Sequence, residues 1–406
     1  MLSAKIMNAL TRRPVILQVL PALDAGGVER GTVEMVQAIA KAGGTPLVAS
    51  AEGRLAPMIA YYGGRHIPLE LGRKSPFAIL RNARKLRAII RKEKVSLVHA
   101  RSRAPAWAAK LACRSRKIPF ITTWHGVHNA NFRGKRAYNA VLAAGDRVIA
   151  ISQFIADRLR REYAVGEDRL RTIPRGADTV QFDPENVRGD RVGTVLNSWN
   201  IEDDGAAIIL MPARLTEWKG QGLLLEALSI MIRERWTTRP WVCVFAGETP
   251  EKSTFPAQLE SRAVELGLTP HVRFGGHCSD MPAALALSEM VVVPSLRPEP
   301  FGRVVVEAQA MARPVIVSAH GAAVETVRHG ETGLLFPPGD ARVLAEMIAA
   351  TLEATDEERM ALGRAARLNV LEHYTTRSMQ RATLAVYDEM LGGDLAGRFV
   401  EQGGGE

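Results

Sequence analysis

Ten short apolar runs recur along the chain, and each is followed by a loop and then a segment with helical spacing. VILQVL (15–20), PLVAS (46–50), SLVHA (96–100), PFITTWHG (119–126) and RVIAIS (147–152) occupy the first half. AAIILMP (206–212), WVCVFAG (241–247), HVRF (271–274), MVVVP (290–294) and PVIVS (314–318) occupy the second. Continuous apolar runs, unlike alternating ones, belong to strands covered on both faces, so the pattern predicts parallel sheets flanked by helices. Helices are expected near 220–235, 255–267, 281–288 and 303–312, and over 76–94, where Leu80, Leu86, Ile89 and Ile90 are assigned to one apolar side.

The strand–helix alternation stops and restarts. Residues 184–205, PENVRGDRVGTVLNSWNIEDDG, are rich in Gly, Asn and Asp, which marks them as the link between two α/β units. The predicted organisation is a Rossmann-like domain at 1–195, a second at 206–375, and a terminal helix at 376–396 returning toward the first. At 406 residues the chain exceeds what one hydrophobic core usually fills, which also favours two domains.

Composition narrows the setting. Three scattered cysteines, Cys113, Cys243 and Cys278, fit neither a disulfide framework nor a thiolate metal site. No run reaches about 18 apolar residues, so neither a membrane span nor a secretory leader is expected, and the location is read as cytoplasmic. The net charge of +10 is unevenly placed. Residues 1–200 carry 34 Lys and Arg against 15 Asp and Glu, and residues 201–406 carry 19 against 28. The first half is therefore expected to meet something anionic: a phosphorylated saccharide or lipid, the cytoplasmic face of a membrane, or nucleic acid. Aromatics are only 6% of the chain and are not interleaved with the basic residues, which argues against nucleic acid.

Five segments could carry chemistry. PARLTEWKGQG (212–222) puts Arg214 and Lys219 between a strand and a helix, where cations and helix N–H groups together suit a diphosphate. Surface loops also carry such pairs without function. In PSLRPEPFGRVVVEAQAM (294–311), Glu299 lies on the loop, Gly302 opens the helix and Glu307 lies one turn inside it. Such carboxylates can accept vicinal hydroxyls, although a solvated Glu299 and a dipole-stabilised Glu307 read equally well. DAGGVER (24–30) places Gly26 and Gly27 before a helix without the longer dinucleotide fingerprint. His125 in TTWHGVHNA and His99 in LVHARSR stand at strand ends, where a substrate contact and a satisfied structural histidine are both open readings.

Taken in order, these pieces resemble the retaining nucleotide-sugar glycosyltransferases of family four, with FGGHCSDMPAAL (274–285) and GLLFPPGD (333–340) completing the set. The resemblance spans roughly residues 15–390 and implies a GT-B fold, two Rossmann-like domains facing each other across a cleft. It implies that Arg214 and Lys219 bind the donor diphosphate and that Glu299 holds the transferred sugar. Phe301, Gly302, Arg303 and Val304 would cradle sugar and phosphate, and Glu307 would bind the ribose. From the first domain, Gly27 would approach the donor diphosphate or the acceptor, and His125 the transferred sugar. Gly26, His99, Arg101 and Arg103 would serve an anionic acceptor; SLVHARSRAPAWAAK (96–110) resembles segments of lipopolysaccharide core transferases. The donor would be a GDP- or UDP-sugar, and the acceptor an envelope saccharide or glycolipid at the cytoplasmic face of the inner membrane.

No DxD motif stands at a strand end, so neither a metal nor another cofactor is expected, with Arg214 and Lys219 in the metal's place. Ala312 and Ala322 stand where family members often carry glycine, which bears on sugar specificity. Alternative functions are a capsular or exopolysaccharide transferase, a nucleotide-sugar epimerase of the same fold, and a non-catalytic nucleic-acid binder.

Overall fold

The computed structural model describes residues 13–24, 26–114, 116–128, 132–202, 204–249 and 253–402. Its chain divides into two compact units, residues 1–174 with 377–406, and residues 175–376. The first unit holds seven parallel strands: β1 (Val15–Ala22), β2 (Thr45–Ala51), β3 (Arg65–Pro68), β4 (Leu97–Ala100), β5 (Phe120–Trp124), β6 (Arg147–Ala150) and β7 (Leu170–Thr172). Their order across the sheet is β3-β2-β1-β4-β5-β6-β7. The second unit holds β8 (Ala207–Pro212), β9 (Trp241–Ala246), β10 (Val272–Gly276), β11 (Met290–Val293), β12 (Val315–Ser318) and β13 (Leu334–Phe336), in the order β10-β9-β8-β11-β12-β13.

Both orders grow outward from the first strand of the unit in two directions. That reversal creates a switch point between β1 and β4, and another between β8 and β11, where flanking loops diverge at the carboxyl edge and leave room for a ligand. Central strands are buried along their whole length: all six residues of β8 and all four of β4, β11 and β12 are buried, with His99 and Ser318 the polar members. This follows from helices covering both faces.

Local signals fix the helix ends. Ser75 Oγ accepts from the Ala78 N–H ahead of helix Pro76–Lys92, and Thr355 and Glu358 form a reciprocal capping box ahead of Asp356–His373. Within Pro76–Lys92 the buried side is Ala78, Asn82, Ala83, Leu86 and Ile90. Leu80, assigned to the apolar side from sequence, is half exposed, because it lies a third of a turn away from the Leu86–Ile90 stripe.

The last segments complete the first core. Leu384, Tyr387, Leu395 and Phe399 pack with Ile16, Leu97, Ile121 and Ile149. The first crossing between units falls at Pro174–Arg175 and not within 184–205. Residues there belong to the second unit: helix Gly189–Ser198 packs on helix Met281–Leu287, and Arg191 forks onto Asp280 at 2.7 and 2.8 Å. That contact holds the Asp280 carboxyl below its ordinary range. Among the described residues, no helix is long and apolar enough to cross a membrane.

Candidate donor and acceptor sites

The loops after β8 and β11 meet at the second switch point. After β8 the chain passes Arg214, makes one short turn at Glu217–Lys219, and enters helix Gln221–Glu234 through Gly220. A Cβ at Gly220 would lie 1.9 Å from the Pro294 carbonyl oxygen, so only glycine lets this loop lie against the end of β11. The Leu296 N–H donates to the Trp218 carbonyl at 2.8 Å and locks the two loops together.

This locking brings two of the expected residues into direct contact. Lys219 Nζ donates to Glu299 Oε1 at 2.8 Å, and both side chains are only 15% exposed. The ammonium also lies 4.4 Å from the centre of the Trp218 ring. Ser295 Oγ donates to the same Glu299 oxygen at 2.5 Å. The Glu299 carbonyl accepts from the Ala322 N–H at 3.0 Å, so the loop is fixed from both sides. Arg214 is exposed on the same loop, and its carbonyl accepts from Gln221 Nε2.

Gly302 takes φ +81° and turns the loop into helix Arg303–Ala310, a conformation that strains other residues. One turn on, Glu307 is nearly buried, and Arg303 Nε lies 3.3 Å from its Oε1. Phe301 is buried with its ring 6.1 Å from that of Tyr374, so the backbone and not the phenyl ring is available at this point. Val304 is half-buried beside Arg303.

Three side chains escaped the sequence reading. Ser295 steadies Glu299, and His320 shares a 2.8 Å hydrogen bond with the Ser295 carbonyl. Burial pushes the His320 pKa down, against the pull of that carbonyl and Glu299. Ser318 is buried, and its Oγ has no hydrogen-bond partner among the described residues. Together with Glu299, Gly302 and Val305 these line a small pocket. Their common signal is position: each lies at or just past the carboxyl end of β11 or β12.

In the first unit the expected residues separate into two groups. Gly26 and Gly27 lie where β1 turns into helix Gly27–Lys41, and His125 is half-buried just past β5. Arg103 reaches Asn139 Oδ1 with Nη1 at 2.9 Å and lies over the Tyr138 ring. His128, close to it, is pushed down to about 4 by burial and by Arg103 and Arg158. Arg103, opening the helix past β4, and Arg158, on the helix past β6 and paired with Glu162 at 2.9 Å, thus place positive charge beside the loop past β5.

His99 and Arg101 form the other group, and their expected contact with an acceptor is corrected. His99 is fully buried, bonded through Nδ1 to Tyr387 Oη at 2.7 Å and through Nε2 to Thr123 Oγ1 at 2.6 Å. Arg101 is 3% exposed and donates from Nε to Gln18 Oε1 at 2.9 Å. Both serve the packing of the terminal helix in its own unit.

Residues 198–369 match the family model for glycosyl transferases group 1, and residues 25–181 match that for glycosyltransferase family 4. A solved glycosyltransferase from Rickettsia africae is 33% identical, with a TM-score of 0.85, over 94% of this chain and 99% of its own. The chain belongs to the group 1, family 4 glycosyltransferases. A curated relative, D-inositol 3-phosphate glycosyltransferase 1 from Catenulispora acidiphila, is 29% identical over 91% of this chain and 92% of its own length. WaaG, a glycosyltransferase involved in lipopolysaccharide biosynthesis, aligns at a TM-score of 0.68 but 16% identity, which shows a shared fold alone. This glycosyltransferase has the GT-B fold.

Proposed function

We propose that this glycosyltransferase moves a sugar from a nucleoside-diphosphate donor to a phosphate- or carboxylate-bearing acceptor, with retention at the anomeric carbon. The observation that carries the reading is the Lys219–Glu299 pair at the β8/β11 switch point, with Arg214 on the same loop. Bound donor places its diphosphate against Arg214 and Lys219 and its sugar hydroxyls against Glu299, while Glu307 accepts from the ribose. The bond from the anomeric carbon to phosphate oxygen breaks, and its electron pair leaves with the nucleoside diphosphate. The acceptor oxygen attacks on the same face, and its proton passes to a phosphate oxygen of the leaving group. Charge developing on that group is met by fixed cations, so no side-chain nucleophile and no metal is required.

The anionic acceptor is supported by Arg103 and Arg158 beside His128, by the excess charge of the first half, and by a relative named for inositol 3-phosphate. The reading takes in a lipid-linked acceptor as well as a free one. A lipopolysaccharide core acceptor is narrower and rests on the 96–110 segment alone.

Calorimetry with UDP, GDP and ADP tests the donor site. One base should bind selectively, and Arg214→Ala should weaken it at least tenfold. Folded protein that binds none of the three overturns the reading. Incubation with the donor sugar nucleotide alone should leave the sugar unchanged, whereas an epimerised product would point to the epimerase alternative.

A further inference from the structure

The helix Pro76–Lys92 packs against helix Arg103–Arg114. Its outward side carries an unusual combination. Phe77 is 75% exposed and Leu80 50%, side by side in the first two turns. Arg81, Arg84, Lys85, Arg87, Arg91 and Lys92 are all exposed on the same outward arc, with Arg73 and Lys74 just ahead of it. The helix contains no acidic residue, and Glu93 at its end is taken by Arg65. Among the described residues no ion pair neutralises Arg81, Arg84, Lys85, Arg91 or Lys92.

Single exposed apolar residues are ordinary. Here, however, helical geometry puts Phe77, Arg81, Arg84, Ala88 and Arg91 along one line, with Leu80 beside Phe77 and Lys85 and Lys92 on the other flank. Ser75 and Pro76 fix the helix start, so the first turn presents Phe77 from a rigid base. An apolar pair set among long cationic side chains matches the boundary between anionic headgroups and acyl chains. The cations meet phosphate, and the rings and methyls enter a few ångströms below it. A nucleic-acid surface would engage the cations but gives no reason for a leucine beside the phenylalanine.

We propose that this face docks the protein on an anionic lipid bilayer. The inference deepens the acceptor reading above, and depends on it only for the lipid linkage of the acceptor; the surface stands on its own residues. Docking would hold the first unit at the membrane with its carboxyl-edge loops free, since the helix body and not the strand ends makes the contact.

The test is co-sedimentation of the full chain with vesicles of phosphatidylcholine alone or with 30% phosphatidylglycerol, at low and at physiological salt. Binding is expected to the anionic vesicles only and to weaken as salt rises. Arg81→Glu, Arg84→Glu and Lys85→Glu together should lower the partition coefficient about a hundredfold, at roughly fivefold per basic residue. Phe77→Ser with Leu80→Ser should lower it about tenfold with charge intact. All positions are exposed, so both variants should keep the wild-type melting temperature and nucleotide affinity. Nucleotide binding without vesicle binding overturns this inference and leaves the donor site standing. Equal binding to neutral vesicles, or retention of RNA in place of anionic vesicles, also overturns it.

Discussion

Lys219 Nζ and Glu299 Oε1 are 2.8 Å apart, although the residues lie on different loops, after β8 and after β11. The contact holds the cation assigned to the diphosphate and the carboxylate assigned to the sugar in one geometry. Preorganisation of this kind removes an ordering cost from the bound state. It also means that neither residue can be removed without changing the other.

Lys219→Ala is therefore expected to reduce transfer by about 10²–10³-fold, the usual loss for one donor at a developing oxyanion, and to weaken the nucleoside diphosphate. Glu299→Ala should slow transfer comparably while leaving nucleotide affinity within about threefold. Because they act as a pair, the double variant should cost clearly less than the product of the single effects. Steady-state kinetics on the four proteins checks this, and multiplicative losses would separate the two roles.

Glu307 is nearly buried, with Arg303 Nε 3.3 Å from its carboxylate, so a ligand hydroxyl can approach that carboxylate from few directions. If that direction is the ribose, wild type should bind a 2′-deoxynucleoside diphosphate roughly tenfold more weakly than the ribonucleotide, the value of one charge-assisted hydrogen bond. Glu307→Ala should bind both equally. Persistence of the ribose preference in the variant would place the contact elsewhere.

The central strands were legible because each is a continuous apolar run between turn residues. The edge strands β3, β7 and β13 span only four, three and three residues, too few to show a period. The loops after β8 and β11 were legible as neighbours through charge and glycine placement at strand ends. Ser295 and His320 were not, since a serine or histidine past a strand looks the same whatever it faces. His99 shows the limit most clearly. Its partner Tyr387 is 288 residues away, so no local pattern could tell a buried pair from an acceptor contact. The unit boundary failed for a related reason: Gly189, Asp190, Gly193 and Asn197, which read as linker, lie in helix Gly189–Ser198, while Pro174–Arg175 carries no compositional mark.

That buried pair sets a stability expectation. Tyr387→Phe keeps the ring in the core and removes the hydroxyl at His99 Nδ1, leaving a buried polar atom short of one partner. The cost should be about 1–3 kcal/mol. Urea unfolding should show a lowered midpoint for this variant while UDP- or GDP-type binding in the other unit is unchanged. A wild-type midpoint would mean that His99 is satisfied without Tyr387.

Ala312 lies in the left-handed region at φ +54°, at a position where family members often carry glycine. A Cβ there costs about 1–2 kcal/mol in the folded chain, and replacing it by glycine returns part of that, about 0.4–1 kcal/mol, as unfolded-state entropy. Ala312→Gly should therefore raise stability by about 0.5 kcal/mol. Ala322, by contrast, has φ −78°, so the same argument gives Ala322→Gly no gain. Melting curves for the two variants should move in opposite directions.

The loop past β5 provides a pH signature. Burial, with Arg103 and Arg158 nearby, holds His128 at about 4, against an unfolded value near 6.5. Above pH 6.5 the ring is neutral in both states and makes no pH-dependent difference. Between 6.5 and about 4 the unfolded chain takes up a proton that the folded chain refuses, so stability falls through this window and levels off below it. The loss attributable to His128 approaches about 3 kcal/mol at the low end, at 1.36 kcal/mol per unit. His128→Gln cannot take up that proton, so its unfolding free energy should decline less steeply from pH 6.5 to 4, with the gap between variant and wild type closing or reversing as the pH falls. Parallel urea titrations at pH 7.5, 5.5 and 4.5 would show it, and a constant gap across the three would mean that His128 keeps its ordinary titration in the fold.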